Sequence, residues 1–260
     1  MKMLKKKILC INPLGTDTFD VPIYEYLCTV KNKDTLIDVV SLEKGPQHLE
    51  YYYYEALVLA DILKKVKQAE KDGYDAAIIG CFYDPGLLEA REIVNKMSVV
   101  APAESSMHIA STLGHKFSII VGRDKWIPQM MENVVKCGFK EKLASFKPLG
   151  LGVYDFHKDE KLTIKLQKEA AKEAVEKDGA EVIILGCTGQ FGFYRELQEY
   201  LGVPVIDAIL APFKYAEFLI ELKEKANWTH SKIRAYETPP ISEIKDWNLE
   251  SQYNMKGLWE

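Results

Sequence analysis

"KDGYDAAIIGC" occupies residues 71–81 and "KDGAEVIILGC" occupies residues 177–187. The two phrases share Lys, Asp, Gly, Ile, Gly and Cys, with Asp/Glu and Ile/Leu as near matches. In each, a charged amphipathic stretch stops at Gly, as a helix does at a residue that accepts a left-handed backbone. A short apolar run then reads as a buried strand and closes on Gly-Cys. The same helix–strand unit thus occurs twice, 187 − 81 = 106 residues apart. That repeat predicts two similar halves built around parallel sheets.

The flanking sequence carries the same alternation. Strands are expected at 6–12, 35–40, 75–80, 116–122, 182–185 and 203–207, each a short run rich in β-branched residues. Helical spacing dominates 52–70, 86–95, 124–138, 163–179, 193–201 and 212–225, with Asp84 and Pro85 reading as the cap and first residue of the second of these. Strands alternating with helices indicate an α/β fold, here two similar doubly wound parallel-sheet (Rossmann-like) halves. The first half is placed at 1–102, completed by 214–260, and the second at 103–213. The tail from Asn227, with Trp228, Trp247 and Trp259, has no counterpart in the repeat and is open between a subunit contact and a lid.

With 260 residues the chain can bury two apolar cores. A hydrophobic share of 47%, a charged share of 28% and a net charge of −4 describe a globular protein with no basic footprint for nucleic acid or an anionic membrane. The basic start "MKMLKKKILCINPLG" lacks the apolar core and cleavage site of a signal peptide, and no apolar run spans a bilayer, so a cytoplasmic location is expected. Cysteines 10, 28, 81, 137 and 187 are odd in number and scattered, which argues for thiols rather than a disulfide framework.

Ligands of open α/β sheets bind beyond the carboxyl ends of the strands, where Cys81 and Cys187 fall. Gly80 and Gly186 before them permit a sharp turn or a close approach of ligand to backbone. A helix starting just after Cys81 would favour its thiolate. A thiolate can remove a proton from carbon, and a thiol on the opposite face can return one, which inverts the centre. Cys10, Cys28 and Cys137 read instead as small core residues.

These segments resemble the aspartate/glutamate/hydantoin racemase superfamily, and hydantoin racemases most. The resemblance is carried by "ILCINPLGT" (8–16), "GPQHLEYYYYEAL" (45–57), "GYDAAIIGCFYDPGLLEAREIV" (73–94), "HKFSIIVGRDKWIP" (115–128), "DGAEVIILGCTGQFG" (178–192) and "LGVPVIDAILAPFKYAE" (201–217). It implies two halves related by a pseudo-twofold with the active site in the cleft between them, a cofactor-independent isomerase without metal, Cys81 and Cys187 as the catalytic pair, and Asn12 placed to hydrogen-bond the substrate's carbonyl or imide. It also implies enolate stabilisation by the N–H groups around Phe82 and Thr188. A small-molecule substrate is implied, a 5-substituted hydantoin or a related ring such as allantoin, and a homo-oligomer is expected. Two departures bear on the substrate: Leu14 stands where hydantoin racemases tend to carry a second Asn, and "GCTGQ" replaces "GCAGM". Thr188 therefore keeps an amino-acid racemase open, as well as an isomerase or decarboxylase of the same superfamily. A non-catalytic binding protein with the same cleft is the alternative of another class.

Three further positions are candidates for lining the cleft. Tyr52 belongs to the four tyrosines of a strand-to-helix loop, and Ser105 and His108 lie in the helical stretch "PAESSMHIASTLG". The five histidines are too widely spaced to make a helical metal pair, and "PLGLGVYD" lacks the third glycine of a dinucleotide loop.

Overall fold

The computed structural model describes residues 5–259. The first four residues of the basic N-terminal cluster and Glu260 lie outside the described residues. Contacts divide the chain into two compact units. One comprises the chain through Ile79, Pro85–Val100 and the segment from Lys214 onward; the other comprises Gly80–Asp84 and Ala101–Phe213.

The first unit is a four-stranded parallel sheet of β1 (Lys6–Asn12), β2 (Thr35–Ser41), β3 (Ala76–Ile79) and β4 (Ser98–Val100), in the order β2-β1-β3-β4. Helices α1 (Asp20–Cys28), α2 (Tyr52–Lys71) and α3 (Leu87–Ile93) connect these strands. In β3 all four residues are buried, and Ile8 and Ile11 of β1 pair with Ala76 and Ile79. This is why the strand reads as an uninterrupted apolar run. The strand order reverses between β1 and β3, so the switch point of this sheet lies at Asn12 and Ile79.

The second unit repeats that topology. Strands β5 (Phe117–Val121), β6 (Leu143–Pro148), β7 (Val182–Leu185) and β8 (Val205–Ile206) lie parallel in the order β6-β5-β7-β8, with the switch point between β5 and β7. Its helices are α4 (Pro102–Leu113), α5 (Ile127–Lys136), α6 (Glu160–Glu176) and α7 (Tyr194–Leu201). Asp159 caps α6 by accepting from Leu162 N–H at 3.0 Å, so this helix starts earlier than the periodicity alone indicates. The fold is thus α/β with two four-stranded parallel sheets flanked by helices. Among the described residues no helix is long and apolar enough to cross a membrane.

After β8 the chain enters α8 (Leu210–Ala226), which crosses from the second unit's segment into the first unit's at Phe213–Lys214. The tail that follows straps the first unit. Lys232 Nζ donates to the carbonyls of Arg91, Glu92 and Val94 at 2.7–2.9 Å, and His230 Nε2 accepts the Val99 N–H of the edge strand β4 at 2.9 Å. Lys71 Nζ reaches Gly257 O at 2.6 Å, and Trp259 lies 4.8 Å from the Lys67 ammonium. Two short helices, α9 (Ile241–Asp246) and α10 (Leu249–Gln252), complete this tail, with Ile244 and Leu258 buried.

Under the strap, Glu70 Oε1 accepts the N–H groups of Asn95 at 2.6 Å and Lys96 at 2.9 Å, while Oε2 pairs with Lys67 Nζ at 2.9 Å. Burial disfavours the carboxylate, but the Lys96 N–H, the Lys67 ammonium and the Asn95 N–H outweigh it and hold Glu70 below the usual carboxylate range. A carboxyl whose folded value is depressed stabilises the fold above its unfolded value of about 4.3, and that contribution is lost as pH falls through the folded value. Glu70→Gln is therefore expected to lower stability by about 1 kcal/mol at pH 7, with the difference closing below about pH 4. Urea midpoints of the two proteins measured from pH 3 to 7 check this, and parallel profiles would contradict it.

Candidate active site

The second Gly-Cys phrase ends in a tightly built turn. Gly186 N–H donates to Ile120 O at 2.8 Å and carries the β5–β7 ladder one residue past the strand. A β-carbon at Gly186 would stand 2.6 Å from Ile119 Cγ2 and 3.1 Å from Ile120 O, so the neighbouring strand leaves room only for glycine. Cys187 is extended (φ −152°, ψ 135°) and opens a single 3-10 turn over Thr188–Gln190. The Gly189 N–H points at Cys187 Sγ at 3.4 Å, a contact that a sulfur bearing negative charge accepts best. The turn rests on Gln190, fully buried, whose Nε2 donates to Ile120 O at 3.3 Å and whose Oε1 accepts Gln167 Nε2 at 3.2 Å. Neither glutamine stands out in the sequence; a Gln two residues past "GCT" within an otherwise apolar neighbourhood is the only signal.

Cys81 lies two residues past β3, yet Gly80–Asp84 makes its contacts with the second unit. The Asp84 N–H closes a turn onto Cys81 O at 2.9 Å. Phe82 and Tyr83 are buried, and Asn133 Nδ2 of α5 donates to Tyr83 O at 2.8 Å and more weakly toward Phe82 O at 3.4 Å. The two cysteine segments meet within this unit: Thr188 Oγ1 approaches Gly80 O at 3.4 Å. Both thiols are half-buried and neither forms a disulfide.

The role read for Asp84 differs. It does not cap α3, which starts only at Leu87 behind Gly86 (φ 70°). Asp84 adopts a left-handed backbone (φ 51°), and its carboxylate instead accepts the N–H groups of Ala103 at 2.8 Å and Glu104 at 2.9 Å in the first turn of α4. The helix that follows, α3, starts six residues beyond Cys81 (87 − 81).

The remaining candidates occupy distinct places. Asn12 ends β1, buried, and its Nδ2 donates to Asp20 Oδ1 at 2.6 Å; Ser41 Oγ donates to the same oxygen at 2.7 Å. Asp20, at the start of α1, is a positioning residue that sequence reading missed, because α1 has no capping side chain and carries Pro22 in its first turn. Tyr52 is the first residue of α2 and half exposed, beside a ring cluster in which Tyr51 and Tyr54 stand 5.0 Å apart. Ser105 of α4 is fully buried with no hydrogen-bond partner for its hydroxyl. His108, exposed on the same helix, meets Phe139 edge-on at 5.0 Å, and Phe139 contacts Phe117 at the amino end of β5. The structure therefore does not bring His108 to the cysteine segments. Burial, with Asp38 nearby, pushes the Cys10 thiol up and keeps it a core residue, whereas Cys28 and Cys137 are only half-buried. Among the described residues no group of three His, Cys, Asp or Glu is gathered as a metal would require.

Two parallel α/β units with a Gly-Cys phrase after the third strand of each sheet define a class of proteins that comparison identifies. The family model for Asp/Glu/hydantoin racemase matches residues 8–216. A hydantoin racemase of Pseudomonas sp. (strain NS671) is 37% identical over 238 residues, covering 91% of this chain and 93% of the relative. Another from Paenarthrobacter aurescens is 37% identical, covering 90% and 97%. The structure of allantoin racemase from Klebsiella pneumoniae superposes with a TM-score of 0.84 at 28% identity, covering 91% of this chain and 94% of that one. The chain belongs to the Asp/Glu/hydantoin racemase family and is an enzyme of the isomerase class.

Proposed function

We propose that the protein is a cofactor-independent racemase that inverts a carbon acid next to a carbonyl, with a 5-substituted hydantoin or a related ring such as allantoin as substrate. Cys81 and Cys187 are the two bases. The thiolate of one removes the ring C–H proton, and the electron pair passes into the adjacent carbonyl as an enolate. The thiol of the other then delivers its proton to the opposite face of the same carbon. The cycle ends with thiol and thiolate exchanged, and the opposite enantiomer enters by the reverse route. The N–H groups of Phe82 and Thr188 stabilise the enolate oxygen.

The observation that carries this reading is the convergence of the two cysteine segments in one unit, tied where Thr188 Oγ1 approaches Gly80 O at 3.4 Å. It also favours a ring over a free amino acid, because the Thr188 hydroxyl is directed at a backbone carbonyl rather than left to hold a substrate carboxylate. A cyclic imide spreads the carbanion into its own carbonyls and asks less of the site.

Incubation of single enantiomers of hydantoins, allantoin and amino acids in D₂O tests the proposal, with proton NMR at the stereocentre and polarimetry as readouts. Exchange with loss of rotation is expected for the rings. Binding without exchange, or turnover confined to amino acids, would overturn the substrate assignment.

A further inference from the structure

We propose that Asp84 is a positioning residue that sets the reach of Cys81, and that it acts on this thiol and not on Cys187; the proposal rests on the two-thiol reading above. The five residues Gly80–Asp84 leave β3 to pack on the second unit, and their placement there needs anchors. Phe82 and Tyr83 bury their rings, and the Asn133 amide holds their carbonyls. Asp84, three residues after Cys81, supplies the anchor at the end of the turn. Its own N–H closes the turn on Cys81 O, and its carboxylate spans two N–H groups of α4, a helix of twelve residues.

The residue type follows from that double duty. At φ 51° a glycine would be the easiest choice, and Asp is among the few others that adopt the conformation. Asp at this position gains two charge-assisted bonds to a helix N-terminus, which favours negative charge. The side chain is 8% exposed, so water does not replace those bonds when the carboxylate is removed. The Cys81 turn then loses its tie to α4, whereas the Cys187 turn is held by Gly189, Gln190 and the β5 ladder and meets the Cys81 segment where Thr188 Oγ1 approaches Gly80 O. Displacing a reacting group by about 1 Å costs on the order of 100-fold in rate.

Asp84→Gly removes the carboxylate without straining the backbone, and Asp84→Asn keeps one acceptor. Each is combined with Cys187→Ser, where Cys81 is the remaining base, and with Cys81→Ser, where Cys187 is. In the first background D84G is expected to slow C–H exchange of the Cys81 enantiomer by about 10- to 100-fold, with D84N between D84G and the parent. In the second, exchange of the mirror enantiomer should change by less than about 2-fold. Equal loss in both backgrounds, or loss in neither, would overturn the proposal. Alkylation by iodoacetamide, followed at each cysteine by mass spectrometry in otherwise unaltered protein, judges Asp84 independently of substrate. D84G should change the rate at Cys81 and leave Cys187 as it was; a common change or none counts against it. If neither single-cysteine protein exchanges any substrate, the two-thiol reading has failed, and the alkylation rates alone decide whether Asp84 sets the thiol.

Discussion

Cys81→Ser and Cys187→Ser are each expected to reduce racemisation by about 10³-fold or more while leaving proton exchange of one enantiomer measurable. A serine hydroxyl is not ionised near neutral pH and is a poor proton donor to carbon, so the altered side of the site falls silent in both roles. The remaining thiolate still removes the proton it faces and, with no acid opposite, returns solvent deuterium to the same face. The substrate then exchanges without inverting. In the proposed mechanism the two thiols serve opposite faces of the carbon, so the two variants should exchange opposite enantiomers. Single-enantiomer substrate in D₂O, with NMR for exchange and polarimetry for inversion, reads both quantities from one sample. Two results would sink the two-base assignment: racemisation at the wild-type rate in either variant, or exchange of the same enantiomer in both.

The parts of this arrangement that a sequence can encode locally were legible from it. The phrase "KDG", then two residues, four apolar residues and Gly-Cys, is a statement about neighbours in the chain, and it correctly places β3 and β7 with a cysteine beyond each. Two edge strands, β4 and β6, were not legible. β4 has three residues, and β6, "LASFKP", has no buried face whose alternation would announce it. Nonlocal polar partners were hidden as well. Asp84 before Pro85 is written like a local helix cap, and only the folded chain shows its carboxylate on Ala103 and Glu104, nineteen and twenty residues on. Asn133 and Gln190 are ordinary polar residues in sequence, and their importance lies in backbone carbonyls that fold back onto them. The same is true of Asn12: it was read as a hydrogen-bonding partner of the substrate's carbonyl or imide, and Asp20, which accepts from its amide, comes from a helix that the periodicity does not reveal.

Glu217→Ala is expected to cost about 3 kcal/mol of stability, confined to the first unit. Glu217 sits on α8 with 2% of its surface exposed and is the buried acceptor that ties this helix to the sheet. Its Oε1 accepts the Thr35 hydroxyl at 2.5 Å and the Asn32 N–H at 2.9 Å, and its Oε2 pairs with Lys214. Truncation removes the carboxylate that accepts the fully buried Thr35 hydroxyl and leaves the Asn32 N–H, three residues before β2, to find another partner, each a loss of about 1–3 kcal/mol. Lys214 adds little to the cost because its ammonium is partly exposed and can be solvated. Glu217→Gln, which retains an acceptor without the charge, should recover about half. Hydrogen exchange along Thr35–Ser41 under increasing urea localises the effect, because opening of that strand should become easier while exchange along Val182–Leu185 holds. A loss below about 1 kcal/mol, or one spread equally over both strands, would mean that α8 is held to the first sheet by apolar burial and the Lys6–Glu221 pair, and that Glu217 is incidental to it.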